Sequence, residues 1–389
     1  MIKMCMITPD QIEKKSPRAD LIRFRCLGET LARNSIEVVY VATNEKGRFE
    51  EGFYKSSKVY KIPFLTRVRI IQLLCFYLFL PPVLLRLRRH GRFDIIFINS
   101  IFTVPCALIL KLMSGNGRIQ FDLMGILSEE KFLKLPKNFW LRITKKVFSS
   151  VENILLSRVD FITTINDQHR RILLKRTKRP IYVIRDGVFE AILGQTACVV
   201  KDSGDPSKMI IIFVGQVNHF RLDALFRILP ELTDELPNIQ LWVLGSGPHL
   251  TRYNEMTNTL GLKDHVIFWG HVPSENIFDY IATADIAYSD DWSVIGFPMK
   301  LFDYMAMGKA IVAEGTESVK EVLTDQVNGL LYTNEAELKE KILTLAREEA
   351  SRKKLGEANK KLMDKHTWEK RAEALWLIYQ QYIPGMGTR

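Results

Sequence analysis

Residues 296–314 read GFPMKLFDYMAMGKAIVAE and decide how the second half of the chain folds. Pro298 stands at the predicted start of a helix, where its missing N–H costs nothing. Gly308 ends that helix, and an apolar strand follows over 310–313. A helix joined through a glycine to a buried strand is one repeat of an α/β domain, so the stretch predicts a doubly wound parallel sheet.

The chemical groups of this stretch suit a sugar nucleotide. A helix start reached through Gly296 presents backbone N–H groups to an anion such as a phosphate. Lys300 adds a positive charge in the first turn, and Asp303 lies one turn further along roughly the same face. The lysine suits a diphosphate, and the carboxylate suits a pair of ribose hydroxyls. The same residues also fit an ordinary helix–strand crossover in which glycine, proline and lysine are only caps.

Strand and helix patterns alternate along the whole chain. Apolar runs of four to seven residues are separated by periodic segments of ten or more, which is typical of parallel strands buried on both faces. Strands are predicted at 1–7, 37–42, 94–99, 118–123, 161–165, 182–184, 209–214, 240–244, 265–269, 286–289 and 310–313. Helices are predicted at 19–33, 70–90, 104–113, 141–157, 166–175, 221–235, 248–260, 274–283, 299–307 and 317–323.

The length and one loop-like stretch divide this α/β pattern into two Rossmann-like domains. A chain of 389 residues exceeds one typical core, and 186–208 ends in a Ser/Gly/Asp/Pro cluster. We therefore predict four parts, with Thr367 as the N-cap of the last: a first domain over 1–190, a linker over 191–208, a second domain over 209–366 and a C-terminal helix over 367–389.

The composition predicts a globular cytoplasmic protein. Hydrophobic residues make up 47% of the chain and charged residues 25%. The N-terminus lacks the long apolar core of a signal peptide. Five widely spaced cysteines form no C-x-x-C pair and no Cys/His cluster, which predicts reduced thiols and no metal site; they are Cys5, Cys26, Cys75, Cys106 and Cys198.

The net charge of +11, with a pI near 9.3, calls for an anionic partner. Nucleic acid is not expected, because the chain has no zinc finger, RNP-type motif or basic-region heptad. Basic residues instead stand beside apolar ones in 67–89 and 131–146, a mixture that an anionic bilayer surface attracts. The apolar run 70–80 is too short to span a membrane. Segment 70–85 is therefore a buried crossover helix, a peripheral docking element with Phe139-Trp140, or both.

The stretch 296–314 resembles the donor-site motif of GT-B glycosyltransferases, most closely those of family four. The family helix reads roughly P-x-K-L-x-E-Y-M-A-x-G-K-P-V-V-A, and Asp303 stands where the family has the glutamate that holds the ribose. Ile295 stands where the family has a first carboxylate, which usually touches the donor sugar; Asp290 and Asp291 are nearby. The resemblance covers residue 209 to the C-terminus well and the first half at the level of the fold.

The first glycine loop of the second domain, Phe213-Val214-Gly215-Gln216, resembles the family pattern F-V-G-R. In the family this arginine and a lysine five residues later clamp the diphosphate. Gln216 stands at the arginine position and Arg221 at the lysine position, so one of the two cations remains, as a guanidinium.

Two further glycine loops complete the series. Leu244-Gly245-Ser246-Gly247 follows a strand, and its glycines either let the backbone approach a ligand or only form a tight turn. The stretch 266–272 resembles V-x-F-x-G-x-v, where the family receives the nucleotide base. The resemblance thus assigns donor binding to Gly215, Gln216, Gly245, Ser246, Gly247, His271, Val272, Gly296, Phe297, Pro298, Met299 and Asp303.

The first domain offers fewer candidates. Asp122 ends a predicted strand, where ligands of open α/β sheets gather, and either contacts a substrate or caps the next segment. Asp186-Gly187-Val188 resembles the family's N-G-V-D and also fits a plain turn. The single histidines His169 and His249 are expected at the solvated surface.

The resemblance implies two domains facing across a cleft, with the donor mainly on the second and the acceptor mainly on the first. Arg221, Lys300 and Asp122 would then be the catalytic residues. Retention at the anomeric carbon, no metal and no cofactor beyond the nucleotide-sugar substrate are implied. The acceptor would be a glycan or lipid-linked saccharide at the inner face of the membrane. Alternatives are a sugar-nucleotide epimerase and a non-catalytic sugar-nucleotide binder; a dinucleotide oxidoreductase is disfavoured because no G-x-G-x-x-G follows 1–7.

Overall fold

The chain folds as two compact units in the computed structural model. Unit 1 comprises Met1–Arg185 with Trp368–Arg389, and unit 2 comprises Asp186–Thr367. The described residues are 2–13, 19–44, 46, 48–63, 69–115, 117–126, 128, 139–193, 200, 207–217, 221–274, 276–290 and 298–383. The predicted donor residues Gly296 and Phe297, like Ile295 and Asp291, lie outside these ranges.

Unit 1 contains one eight-stranded sheet in the order β3-β4-β2-β1-β5-β6-β7-β8. Only β3 runs antiparallel to its neighbour; the other pairs are parallel. The strands are β1 (Ile2–Ile7), β2 (Ile36–Asn44), β3 (Glu50–Tyr54), β4 (Ser57–Pro63), β5 (Ile95–Ile98), β6 (Arg118–Leu123), β7 (Phe161–Thr164) and β8 (Ile181–Val183).

The helices of unit 1 cover both faces of this sheet. They are α1 (Ala19–Arg33), α2 (Arg69–Leu78), α3 (Leu80–Leu87), α4 (Val104–Ser114), α5 (Phe139–Leu156), α6 (Asp167–Leu174) and, in the second segment of the unit, α15 (Trp368–Tyr382). Short 3₁₀ turns lie at Arg88–His90 and Ile101–Thr103.

Side chains alternate across the strands, so two separate layers of helices pack on the sheet. In-register residues such as Cys5, Val39 and Ile96 share one core with buried residues of α2 to α6. On the opposite face, Phe24 of α1 packs against Tyr40 and Phe97.

The sequence pattern missed two features of this unit. The predicted helix 70–90 is two helices, because Pro81 and Pro82 cannot donate backbone hydrogen bonds and instead occupy the first turn of α3. The β3–β4 hairpin was not predicted, since its edge strand is short, polar and half-exposed.

Unit 2 is built on a six-stranded parallel sheet in the order β11-β10-β9-β12-β13-β14. Its strands are β9 (Met209–Val214), β10 (Ile239–Leu244), β11 (Val266–Gly270), β12 (Ile286–Ser289), β13 (Ala310–Glu314) and β14 (Leu330–Tyr332). Its helices are α7 (Glu190–Leu193), α8 (Asp223–Glu235), α9 (Leu250–Thr259), α10 (Ile277–Thr283), α11 (Lys300–Ala306), α12 (Glu317–Lys320), α13 (Glu335–Arg347) and α14 (Glu349–Met363).

The chain enters and leaves unit 2 at adjacent points. Val188 forms a parallel bridge with Thr367, and its N–H donates to the His366 carbonyl at 3.1 Å. A Cβ atom on Gly187 would lie 2.7 Å from that same carbonyl oxygen, so glycine is required by the close approach of two chain segments.

Helix α15 belongs to unit 1 by its contacts. The Tyr379 hydroxyl donates to Gln120 of β6 at 2.7 Å, and the Tyr382 ring stacks on Phe161 of β7 at 4.4 Å. Among the described residues, no helix has the length and apolar character needed to cross a bilayer.

Candidate functional site

The order of strands in unit 2 reverses between β9 and β12. β10 and β11 follow β9 on one side, whereas β12, β13 and β14 extend on the other. The carboxyl end of such a switch point is where open α/β sheets bind ligands. The residues at this end are Gly215 after β9 and Asp290 after β12.

Helix α11 is fixed to the switch point by one hydroxyl group. Tyr304 accepts a hydrogen bond from the Val214 N–H at 2.8 Å and donates to the Tyr288 carbonyl at 3.3 Å. Val214 and Tyr288 are on β9 and β12, so Tyr304 links the helix to both strands. No local pattern singles out this tyrosine, because in the sequence it belongs to the apolar face of the helix.

Two cations that the sequence singled out meet at the end of β9. The Lys300 Nζ lies 3.9 Å from the centre of the Phe213 ring and 3.9 Å from Asp290 Oδ1. A Cβ atom on Gly215 would lie 3.7 Å from the same ring and 4.0 Å from Arg221 Nη1. Lys300 and Arg221 therefore approach one short stretch of backbone from two elements of the fold.

The two cations differ in their surroundings. Lys300 is only 7% exposed and is held by a cation–π contact and an ion pair, which lowers the cost of burying its charge. The Nε of Arg221 is buried and has no hydrogen-bond partner among the described residues. A buried guanidinium donor that the described fold leaves unsatisfied can donate to an anionic ligand.

The glycines of the second loop serve contacts between loops. Gly245 has a φ of +147°, and a Cβ atom on it would lie 1.8 Å from the Gly215 carbonyl oxygen. A Cβ atom on Gly247 would lie 2.3 Å from the Val217 carbonyl oxygen. Tight packing within the fold therefore explains both glycines without a ligand. The side chains of Ser246 and Gln216 are exposed.

The third loop leaves β11 through Gly270, whose φ is +66°. His271 is exposed, and Val272 is buried in the core beneath the loop. Before them, the Trp269 ring packs on Tyr280 at 4.9 Å. The Trp269 Nε1 is buried without a hydrogen-bond partner among the described residues.

Asp303 has a carboxylate neighbour that the sequence did not reveal. It is half-buried on α11, and desolvation together with the charge of Asp186 raises the pKa of Asp303 to about 7. The D-G-V motif marked Asp186 as a turn residue, and only the fold brings these two carboxylates together. Asp303 therefore changes its charge near neutral pH.

At the start of α11, two backbone N–H groups already donate within the chain. The N–H groups of Leu301 and Phe302 donate to the Pro298 and Met299 carbonyls, each at 3.0 Å. The helix has seven residues, so its dipole is also small.

Asp122 lies in a buried ion pair and not at a solvent-facing strand end. Both of its oxygens accept from Arg23, at 2.6 and 2.9 Å, and Oδ1 also accepts from Thr163 at 2.6 Å. The exposed fractions of Asp122 and Arg23 are 2% and 0%. This geometry corresponds to neither function considered for Asp122 from the sequence, since the carboxylate is engaged within the sheet and α1.

Residues 201–362 match the profile of the family described as glycosyl transferases group 1. The matched segment lies within unit 2 and contains the switch point with Arg221, Lys300 and Asp303. This match bears out the family resemblance that the motifs predicted for this part of the chain.

Several curated relatives align with more than half of the chain, and two of them illustrate the similarity. The glycosyltransferase MJ1069 of Methanocaldococcus jannaschii is 23% identical over 262 residues, which cover 65% of this chain and 66% of that protein. The chain thus spans just under two thirds of this relative. The phosphatidyl-myo-inositol mannosyltransferase of Mycobacterium tuberculosis is 22% identical over 310 residues, 77% of this chain and 76% of that protein.

A solved structure is similar over almost the entire chain. Anabaena HepE in complex with UDP-glucose matches with a TM-score of 0.73 and 14% identity, covering 98% of this chain and 100% of that chain. The likeness shows the fold, and it confirms the GT-B class of two Rossmann-like domains predicted from the sequence.

Proposed function

We propose that this protein is a glycosyltransferase that moves a sugar from a nucleotide-diphospho-sugar to an acceptor hydroxyl. The observation that carries the proposal is the meeting of Arg221 and Lys300 at the switch point of a group 1 glycosyltransferase domain. The UDP-glucose complex of the similar HepE structure supports a nucleoside diphosphate as the carrier of the sugar.

The two cations have one task in this reaction. As the bond between the anomeric carbon and the diphosphate breaks, negative charge develops on the leaving group, and fixed positive groups stabilise it. The acceptor oxygen takes the place of the diphosphate, and its proton leaves with the nucleoside diphosphate. Retention at the anomeric carbon is part of the proposal and rests on the family resemblance.

The donor is best identified by a binding screen. We expect one class of sugar nucleotide among UDP-, GDP-, ADP- and dTDP-sugars to raise the melting temperature, because a ligand that binds only the folded state stabilises it. The variant Arg221→Ala should lose most of this shift. No shift with any of these sugar nucleotides would contradict the proposed donor class.

Activity is expected to survive the removal of divalent metals. If Arg221 and Lys300 offset the charge of the diphosphate, Mg²⁺ or Mn²⁺ is not required for its departure. The measurement is product formation after dialysis against EDTA, compared with a sample to which the metal is restored. A strict requirement for added metal would show that the ion, and not these side chains, supports the leaving group.

Asp303 is expected to hold the ribose of the donor. Asp303→Ala should weaken sugar-nucleotide binding by roughly 1–3 kcal/mol, the scale of lost hydrogen bonds to a charged group. Because the pKa of Asp303 is raised to about 7, its neutral form below that pH accepts hydrogen bonds less well. Affinity should therefore rise as the pH increases through 7.

Titration calorimetry across pH 6–8 checks both parts of this prediction. Asp303→Asn is the matched variant, since it keeps the side-chain size and does not titrate; its affinity should be flat over the same range. An unchanged affinity in Asp303→Ala would exclude the ribose contact.

A second candidate function is sugar-nucleotide binding without transfer. Gln216 is exposed where the family carries an arginine, and Asp122 is engaged with Arg23. Such a protein would bind the donor with normal affinity and yield no transfer product with any acceptor hydroxyl. Single-turnover incubation with a radiolabelled donor and a mixed glycan and lipid acceptor fraction separates the two functions.

For the acceptor we propose a lipid-linked saccharide met at the inner face of a membrane. The name of one relative, a phosphatidyl-myo-inositol mannosyltransferase, supports a lipid acceptor. Of the basic residues considered from the sequence, Arg88, Arg89 and Lys146 are exposed, whereas Arg86 pairs with Glu51 at 2.9 Å.

A further inference from the structure

Exposed apolar side chains are concentrated on one layer of unit 1. Fifteen large apolar residues are exposed in the described part of the chain, and eleven of them lie on α2 to α6. These helices pack on the same face of the sheet, so the eleven residues share the outer surface of that layer. They are Ile71, Leu74, Leu78, Leu85, Ile109, Leu112, Ile143, Val147, Val151, Ile154 and Leu174.

Helix α5 carries the most regular part of this surface. Ile143, Val147, Val151 and Ile154 follow one another at spacings of four, four and three, which places them on one face of the helix. Their exposed fractions are 41%, 58%, 50% and 59%. The opposite face of α5 packs against the rest of unit 1, because Glu152 on that face is buried in an ion pair with Arg176. One face of α5 is thus left to water.

A basic cavity adjoins the C-terminal end of this helix. It has a volume of about 610 Å³ and is lined by Ser157, Leu174, Lys175, Arg176, Thr177, Lys178 and Arg179. Arg179 donates twice to the Ser157 carbonyl, which follows the last turn of α5. The cavity therefore begins at the end of α5, three residues after Ile154 of its apolar face.

Internal contacts account for only part of this positive charge. Arg176 pairs with Glu152, and Arg179 caps a carbonyl of the helix end. Lys175 and Lys178 are exposed and form no ion pair with any residue that the structure describes. Two unneutralised lysines and an exposed leucine at one opening match a ligand that is both anionic and apolar.

We infer that the outer surface of α5, with the basic cavity at its end, docks onto an anionic phospholipid bilayer. Aliphatic side chains of α5 enter the interface, and the lysines meet lipid phosphates. The charge complementarity favours lipid over a second copy of this chain, which carries the same positive cavity. The inference rests on the proposed function, because it places the enzyme at the surface where a lipid-linked acceptor is found.

Binding to vesicles tests the inference without a sugar substrate. The full chain is sedimented with vesicles of neutral phosphatidylcholine and with vesicles containing 30% phosphatidylglycerol. Each basic residue near an anionic surface strengthens binding by roughly fivefold. We expect uptake by the anionic vesicles only, and loss of that uptake at 0.5 M salt, where charges are screened.

Two variants and a matched control locate the surface. Lys175→Glu with Lys178→Glu should reduce the partition coefficient at least tenfold, and Val147→Ser with Val151→Ser should reduce it severalfold at unchanged net charge. The control is Lys354→Glu with Lys361→Glu, which changes the net charge equally on exposed residues of unit 2 and should have a smaller effect.

Three outcomes would overturn the inference. These are no uptake by anionic vesicles at low salt, an equal loss in the control, and a concentration-dependent dimer that Val147→Ser with Val151→Ser dissociates. Donor affinity measured in solution on the same variants keeps the two proposals apart. Normal donor binding without vesicle uptake contradicts only the docking surface, whereas uptake without donor binding contradicts only the proposed function.

Discussion

Replacing Arg221 by alanine is expected to lower kcat by roughly 10²–10³-fold, the scale of losing one preorganised donor at a developing negative charge. The Nε of this arginine is buried and unsatisfied among the described residues, so the folded state gains little from it. The melting temperature should therefore change much less than turnover does. Arg221→Lys should recover part of the activity, because the charge returns without the planar fork.

The role of Lys300 in turnover is best tested with Lys300→Met. Alanine would leave a cavity at this position, because Lys300 is only 7% exposed. Adding Asp290→Asn removes the carboxylate that would otherwise lose its partner at 3.9 Å. We expect a loss of turnover similar to that of Arg221→Ala.

Arg227→Ala is the matched control for both cationic positions. Arg227 lies on α8 six residues after Arg221, is 54% exposed and pairs with Glu335. Exposed ion pairs contribute about 0–1 kcal/mol, so turnover and stability should remain near those of the wild type. If Arg221→Ala and Arg227→Ala lower turnover equally, Arg221 has no special role at the diphosphate.

Asp122→Ala is expected to lower the free energy of unfolding by about 3–5 kcal/mol, because it leaves the fully buried Arg23 charge without its partner. The Thr163 hydroxyl loses its acceptor in the same variant. Urea unfolding followed by tryptophan fluorescence measures this loss. At low temperature, the protein that remains folded should bind the sugar nucleotide with wild-type affinity.

The double variant Arg23→Met with Asp122→Leu distinguishes a structural role of the Arg23–Asp122 ion pair from a catalytic role of the Asp122 carboxylate. Replacing both partners of a buried ion pair by apolar residues of similar volume is often neutral or stabilising, so stability should largely return. Turnover should return with it. If Asp122→Asn were inactive but of normal stability, the result would instead support the substrate contact that the sequence suggested for Asp122.

Most regular elements of both sheets could be predicted from apolar periodicity. The strands Met209–Val214 and Ile286–Ser289 and the helix Ala19–Arg33 have the bounds that the pattern predicted. Buried parallel strands are continuous apolar runs, which the sequence shows directly. The half-exposed strand Glu50–Tyr54 and the charged helices α13 and α14 have no such run.

The site was predictable where its chemistry is local and missed where partners come from distant segments. The motifs predict Lys300 and Arg221 as site residues, but the neighbours of Asp303 and Asp122 are 117 and 99 residues away in the chain. His169 was expected at the surface and is buried against Thr164, at 3.1 Å. A polar residue can be satisfied inside a fold by a partner that no local pattern reveals.

The bridge between Val188 and Thr367 marks where the chain enters and leaves unit 2, so unit 2 is synthesised between the two segments of unit 1. Unit 1 begins at the N-terminus but needs α15, whose Tyr379 and Tyr382 complete the contacts of β6 and β7. All residues of unit 2 are synthesised before α15 emerges from the ribosome. Unit 2 therefore has its full sequence available before unit 1, which completes its core only when α15 has been synthesised.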